Sequence, residues 1–338
     1  MTRGTTGRWS RRVGAGVLAT AAILAIAAPA VAPYAPNEQF DDRAYAPPTR
    51  VRIFGPEGFT RPFIHPLVLE DRLAGRYRED RSVMVPIRWF SRGRLVSTGS
   101  ASVPLMLLGG DAVGRDVFSR LLFGARLSLG VTFLGVIGAL GIGAMMGGLA
   151  GTMGGRVDGA LMVVADFLLA VPGAYLVLVL RGVLEQVLET WQIFGLIAAL
   201  FAVAGWPHTA RGVRAIVASE RTREYAEAAR AAGAGPWRLA RQLLPAARGF
   251  LAVEVLLLVP ALLVAEATIS YLGLGFSSAQ ASWGTMMQDA TANGYVLARA
   301  PWLLAPAAGV FVVALATQMM GFNRTPPLPG FIRPPRPS

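Results

Sequence analysis

Apolar positions along the 338-residue chain gather into six long runs separated by charged stretches. Crossing the hydrocarbon core of a bilayer takes about 20 predominantly apolar residues, and each run is long enough. The first extends from Val13 to Val31. The second lies between Arg126 and Arg156 without a charge, and the third between Asp158 and Arg181, interrupted only by Asp166. The fourth runs from Thr190 to Ala210, the fifth from Gly249 to about Tyr271 with Glu254 and Glu266 inside it, and the sixth from Ala300 to Asn323. This pattern predicts an all-α polytopic membrane protein of six transmembrane helices. Residues 34–105 interrupt it with a polar, proline- and arginine-rich insert whose strand-like pieces are Val51–Phe54 and Val83–Phe90. The predicted organisation is an N-terminal segment and first helix (1–33), the insert (34–105), a helical core (106–323) containing a polar loop (211–248), and a proline-rich tail (324–338).

Composition agrees. Hydrophobic residues make up 54% of the chain, charged residues 15%, and the mean hydropathy is +0.49, against about 25% charged residues in a soluble domain. No cysteine is present, which removes disulfides and thiolate metal sites. All 32 basic side chains are arginine. Without lysine there is neither a Walker A phosphate loop nor Schiff-base chemistry, so any ATP driving this protein is hydrolysed by another chain.

Arginine bias sets the orientation. Arg3, Arg8, Arg11 and Arg12 precede the first run without an acid. Eight arginines lie at 211–248 against Glu220, Glu224 and Glu227, and Arg324, Arg333 and Arg336 follow the last run. Six spans put these regions on one side, the cytoplasm, with both termini. The insert falls outside despite its eleven arginines at 43–94, because long loops largely escape the charge rule. The net charge of +12 is then a topology signal, and no nucleic-acid partner is expected. Ala30-Val-Ala32 after the first run resembles a signal-peptide cleavage site. The run of about nineteen residues is long for such a signal, so an uncleaved anchor is expected.

The segment Glu224-Tyr-Ala-Glu-Ala-Ala-Arg-Ala-Ala-Gly233 predicts a short helix with a built-in stop. Thr222 is placed to cap it, Glu224 sits where the helix dipole favours an anion, and Gly233 can adopt the left-handed conformation that ends a helix. Pro236 can begin the next one. Alanines at 226, 228, 229, 231, 232 and 234 keep the helix thin, which suits a docking element.

Other candidates are weaker. Gly143, Gly147, Gly151 and Gly155 recur every four residues. That spacing permits close approach of transmembrane backbones, either at a subunit or gate interface or within one subunit. Asp166, Glu254 and Glu266 are intramembrane carboxylates of the kind that face a cavity or a partner, although Glu266 can also lie near the outer interface. A proton relay through them would make a secondary transporter. Trp191, Trp206, Trp302 and Tyr271 lie near run ends, as interfacial aromatics do. Two histidines, His65 and His208, form no zinc-protease motif, and Ser270 and Ser282 lack a neighbouring histidine base, so no catalytic constellation is present.

Three blocks resemble the C-type permease of dipeptide/oligopeptide ABC importers. They are Gly110-Asp-Ala-Val-Gly-Arg-Asp-Val-Phe-Ser-Arg-Leu-Leu-Phe-Gly-Ala-Arg-Leu-Ser-Leu129, the Glu-Ala-Ala loop at 224–233 with Leu243-Leu-Pro245, and Glu266-Ala-Thr-Ile-Ser-Tyr-Leu-Gly-Leu-Gly275 followed by Ser282-Trp-Gly284 and Pro301-Trp302. Gly154-Gly-Arg-Val-Asp158, Asp166 and Pro172 fit as well. The resemblance implies the type I ABC importer fold in a bacterial inner membrane, with one half of a peptide translocation pore in this chain. It implies a homologous second permease, two ATPase subunits that bind ATP and magnesium, and an extracytoplasmic solute-binding protein as partners. No cofactor of this chain is implied. ATPase coupling would fall to Glu224, Tyr225, Glu227, Ala228, Ala229, Arg230, Gly233 and Pro245, and the pore or its packing to Asp166, Glu266, Gly143, Gly147 and Gly151. The chain departs from the family pattern in three places, one of them the insert at 34–105, which is longer than usual. Pro245 follows Gly233 by twelve residues rather than the usual thirteen, a deletion worth about 100° of helical rotation. The sixth run ends in Gly321-Phe-Asn-Arg-Thr-Pro-Pro rather than in a glycine-aspartate and a short charged helix.

Overall fold

Inside a bilayer each backbone N–H and C=O has to find its partner within the protein, which leaves helices as the solution for single apolar runs. The computed structural model describes residues 3–321 except 56–57, 73–74, 92, 99, 101, 171–188 and 293–297. Its helices are α1 (Arg3–Ile26), α2 (Ala28–Val31), α3 (Val117–Met153), α4 (Gly155–Ala170), α5 (Thr190–Glu220), α6 (Glu224–Ala231), α7 (Pro236–Leu243), α8 (Arg248–Tyr271), α9 (Trp283–Thr291) and α10 (Ala305–Gly321). Among the described residues five helical stretches are long and apolar enough to cross a membrane: Trp9–Ile26, Val117–Met153, Thr190–Glu220, Pro236–Tyr271 and Pro301–Gly321. The third expected span is described as α4 through Ala170; its remainder, with Pro172, Arg181 and Glu185, lies outside the described residues, as does the tail.

Two helices outrun their apolar cores. α3 has 37 residues, about 55 Å at 1.5 Å per residue, against a hydrocarbon core of about 30 Å. It begins ahead of Arg126 because Asp116 caps it, accepting from Ser119 N at 2.9 Å and from Ser119 Oγ at 2.6 Å. α5 starts on a capping box between Glu189 and Gln192. It continues past Ala210 to Glu220, where the charge pattern alone predicts a loop. Val213 and Val217, one turn apart, carry the apolar stripe onward and are fully buried.

The insert is built of strands. β1 (Arg52–Gly55), β2 (Gly58–Ile64) and β5 (Val85–Pro86) form an antiparallel sheet in the order β1-β2-β5. β3 (Leu67–Asp71) pairs with β4 (Arg76–Glu79), and β6 (Arg88–Ser91) with β7 (Arg94–Ser97). The expected piece at Val51–Phe54 corresponds to β1, whereas Val83–Phe90 divides into β5 and β6. Residues 34–50 wrap the start of the helical core: Tyr45 N donates to Asp111 O at 2.8 Å and Phe40 N to Gly114 O at 3.3 Å. Gly114 has φ +79, and a Cβ there would collide with the Phe40 carbonyl, so both its conformation and its clearance require glycine.

The core joins α3, α5 and α8 through Val131, Val136, Ile197, Phe201, Val259 and Leu262. A second cluster joins Ala25 of α1, Leu129 of α3, Leu263 of α8, Trp283 of α9 and Val313 of α10. Two expected interfacial tryptophans sit elsewhere. Trp206 is buried against Ala165 and Ala210, because Ala165 of α4 and the alanine one turn along α5 leave a ring-sized gap. Trp302 is part-buried and donates its indole N–H to Gly110 O at 3.1 Å.

Candidate functional site

α6 ends as its sequence requires. Gly233 has φ +82, its N–H donates to Arg230 O at 2.9 Å, and Ala234 N–H donates to Ala229 O at 3.0 Å, which is the Schellman arrangement. Pro236 opens α7. The cap at the other end differs from expectation. Arg223 occupies the N-cap position without a side-chain bond, and the Thr222 hydroxyl instead donates back to Ser219 O at 2.9 Å. The Ser219 carbonyl at the end of α5 accepts from both the backbone N–H and the hydroxyl of Thr222.

The helix has two faces. Ala226 is fully buried over Val213 and Val217 of α5 and Leu239 and Leu243 of α7. Glu224, Tyr225, Glu227, Ala228, Arg230 and Gly233 are exposed, with Trp237 of α7 nearby at 62% exposure. Ala229 is half-buried. Three polar links tie α6 to the end of α5. Tyr225 OH donates to Glu220 Oε2 at 2.8 Å, Arg230 Nη2 donates to Arg221 O at 2.6 Å, and Arg223 pairs with Glu220 at 3.4 Å. Arg221 in turn donates to Thr152 O at 3.1 Å, so the chain of contacts reaches the end of α3.

Pro245 lies in a four-residue 3₁₀ turn, Leu244–Ala247, between α7 and α8. A 3₁₀ turn advances about 120° per residue against about 100° for an α-helix. Four such residues therefore turn the chain about 80° further than an α-helical path would. α8 keeps its buried face, with Val259 and Leu263 inside.

The glycine seam packs within the chain. A Cβ at Gly143 would lie 2.5 Å from Thr209 Cβ, one at Gly151 would lie 2.9 Å from Val217 Cβ, and one at Gly147 would collide with the Ala210 carbonyl. These glycines set the approach of α3 to α5, whereas Gly155, with φ +55, meets nothing within 4 Å.

The intramembrane carboxylates have separate partners. Asp166 is exposed and hydrogen-bonded to Arg211 of α5. Glu254 is buried on α8 beside His208 and Thr209. Glu266 lies twelve residues further along α8, about 18 Å at 1.5 Å per residue, and is fully buried. It accepts from Ser270 Oγ at 2.9 Å, near Ser128 and Ser282. Ser128 Oγ also accepts from Trp283 N at 3.0 Å, so this cluster seats α9 against α3 and α8. The three carboxylates form no relay.

A further polar cluster lies in the block 110–129, whose resemblance was legible although no role was assigned to its charges. Arg115 Nε donates to Asp111 Oδ2 at 2.5 Å and its Nη2 donates to Asp289 Oδ2 at 2.9 Å. Arg120, 1% exposed, approaches the same two carboxylates at 3.7 and 3.5 Å. Two arginines and two aspartates thus neutralise one another and hold α9 to the start of α3. The alternation of Asp111, Arg115, Asp116 and Arg120 was the available signal; Asp289, far along the chain, was not. Burial pushes the Asp116 carboxyl up to about 6, against the hydrogen bonds from Ser119 that lower it.

The family described as a binding-protein-dependent transport system inner membrane component matches residues 119–324. The oligopeptide transport system permease protein OppC of Bacillus subtilis (strain 168) is 39% identical over 219 residues, covering 64% of this chain and 67% of that protein. The dipeptide transport system permease protein DppC of the same organism is 40% identical over 185 residues, covering 54% and 55%. The nickel transport system permease protein NikC of Escherichia coli (strain K12) is 35% identical over 219 residues, covering 63% and 75%. The chain therefore spans just over half the length of one of these curated relatives and two thirds to three quarters of the others.

Proposed function

The chain belongs to the binding-protein-dependent transport system inner membrane component family, and from that premise we propose that it forms one half of the translocation pore of an ATP-driven importer for di- and oligopeptides. It is a membrane-embedded permease subunit of the ABC importer class, and ATP hydrolysis belongs to separate subunits. Its partners are two ATPases, which bind ATP and magnesium, a homologous second permease and an extracytoplasmic solute-binding protein. Both termini and the 211–248 region face the cytoplasm. The likeness to OppC and DppC supports peptide as cargo.

The observation that carries the coupling role is the two-faced α6. Its outer face is thin and exposed at Ala228 and Gly233, as a groove-seated helix has to be, while Ala226 packs its inner face on α5 and α7 and the exposed Tyr225 and Arg230 tie it to Glu220 and Arg221 at the end of α5. A push on α6 by a closing ATPase passes to α5 through these bonds. Since α3 follows α5 along the glycine seam, both helices tilt together and alternate access to the pore. The insert, with its exposed polar surface, docks the binding protein or covers the outer mouth.

The test is reconstitution of this chain with the permease, ATPases and binding protein encoded beside it. ATP-dependent uptake of labelled tripeptide is expected, with little uptake of a nickel chelate; the reverse preference overturns the peptide assignment. Gly233→Trp is expected to abolish uptake and ATPase co-purification while the permease stays in the membrane. Unchanged association and uptake overturn the coupling assignment. Cysteine labelling of the cysteine-free chain is expected to find positions 60 and 280 outside and 5 and 230 inside. Replacement of residues 50–100 by a short linker is expected to weaken binding-protein affinity.

A further inference from the structure

The β6–β7 hairpin places two large aromatic side chains in the open. Trp89 is 56% exposed and Phe90 80%. Alternation along a strand would send neighbours to opposite faces, but Phe90 has φ +53. For a bulky residue this left-handed conformation is strained, and here it turns both rings outward. Beside them Arg61 and Pro62 of β2 and Arg88–Ser91 of β6 line an open groove of about 630 Å³.

The position of the hairpin relative to α1 gives these rings a destination. The apolar run Val13–Val31 has nineteen residues carried by α1 and the short α2, about 28 Å at helical rise, a length comparable to a hydrocarbon core of about 30 Å. Immediately beyond it, the Pro33 carbonyl accepts a hydrogen bond from Arg94 of β7. The Arg94 guanidinium also lies over the Tyr34 ring at 6.0 Å and near Glu38 at 3.6 Å. Arg94 pairs with Ser91 across the hairpin, which puts the Phe90 backbone about 6 Å from the Arg94 backbone by strand rise and spacing. On α1 the neighbouring surface is already apolar and unpartnered, with Ile23 at 64% and Ile26 at 77% exposure.

We propose that the β6–β7 hairpin lies in the phospholipid headgroup layer beside the first helix, with Trp89 and Phe90 seated at the edge of the acyl chains. Tryptophan matches this layer, where an apolar ring and a polar N–H are satisfied together, and the phenylalanine ring beside it adds apolar area for the edge of the acyl chains. Arg61 and Arg88, both exposed, face the phosphates of anionic lipids, a favourable charge interaction near the surface. The exposed apolar residues Ile23 and Ile26 of α1 stand a few residues before Pro33, where Arg94 ties the hairpin to the chain, and this proximity to a spanning segment favours a bilayer over a soluble protein as the occupant of the hairpin surface. Only the crossing of the bilayer by α1 is needed, whichever leaflet its C-terminal end meets. A hairpin fixed in this way holds the insert at one height above the membrane and leaves the β1–β5 sheet free for a protein partner.

The test uses the full chain, assembled with its partner subunits in nanodiscs of phosphatidylethanolamine and phosphatidylglycerol. Trp89→Cys and Phe90→Cys are labelled singly with an environment-sensitive fluorophore, with Phe59→Cys, 78% exposed on the β1–β2 hairpin, as the reference. A nitroxide lipid carrying its spin near the headgroup is expected to quench either hairpin label at least threefold more than the label at 59. Equal quenching at all positions overturns the proposal. So does a label at 89 and 90 shielded from both the lipid nitroxide and a water-borne quencher, since a protein chain would then cover the patch.

Discussion

Arg214 of α5 and Asp158 of α4 meet in a two-point contact, Nε to Oδ1 at 2.7 Å and Nη2 to Oδ2 at 2.5 Å. The guanidinium fork matches the carboxylate geometry, and Asp166 pairs with Arg211 further along the same two helices. α4 is thereby zipped to the part of α5 that carries the coupling helix. Arg214→Lys keeps the charge and loses the fork, whereas Asp158→Asn loses the charge. Each is expected to destabilise the detergent-solubilised protein by about 1–3 kcal/mol. The exchanged pair Asp158→Arg with Arg214→Asp is expected to recover part of that loss. A double-mutant cycle on thermal unfolding measures it, and an interaction energy near zero would show that the contact is incidental.

The outer face of α6 can be separated from its fold. Ala228 is exposed on a helix whose opposite side is packed, so Ala228→Trp is expected to leave the melting temperature unchanged and to lower ATPase co-purification tenfold or more. Gly233→Ala meets no neighbour within 4 Å but keeps φ +82. It is expected to cost about 1 kcal/mol of local stability from the left-handed conformation alone and to disturb ATPase association less than Ala228→Trp. The opposite ranking in a pull-down would place the contact elsewhere.

The glycine seam has an internal control. Gly143→Leu and Gly147→Leu drive a side chain into Thr209 and Ala210, whereas Gly141 of the same helix has nothing within 4 Å of a Cβ. Overpacking of this kind costs about 1–3 kcal/mol, equivalent in a chain of this size to a melting temperature lower by roughly 1.5–4 °C. Gly141→Leu is expected to stay within about 1 °C of the wild type. Equal effects at 141 and 147 would contradict the packing of α3 on α5.

Asp116 carries a pH dependence of definite sign. Burial raises its carboxyl from 3.8 to about 6, so between those values the folded state binds more protons than the unfolded one. Stability contributed by this group then falls as the pH rises through the window up to about 6 and is flat above it. Asn at 116 can still accept from Ser119 without carrying a buried charge. Asp116→Asn is expected to equal or exceed the wild type in melting temperature at pH 7.5 and to lose that advantage at pH 4.5. A difference between the two proteins that grows toward acid would reverse the assignment.

Much of this protein was determined by its sequence alone, wherever the chemistry is local. Long apolar runs become helices because lipid offers the backbone no other partner, which is why Val13–Val31 and Gly249–Tyr271, among the described residues, are found as helical stretches. Gly233 and Pro236 bound their helices from their own backbone preferences, and the absence of lysine excluded an internal phosphate loop. The tertiary structure decided whatever depends on the rotation and height of one helix against another. The glycines at 143, 147 and 151 read equally as an interface between subunits or within one, and the position of α5 makes them the inner seam. Glu266 resembled a pore carboxylate until Ser270 beside it and the seating of α9 gave it a structural neighbourhood. Thr222 was placed by the sequence to cap α6, and the geometry of the turn instead directs its hydroxyl back to Ser219 at the end of α5. Asp289 joins Arg115 and Arg120 from more than 160 residues away, a separation at which local propensity carries no information and packing alone selects the partner.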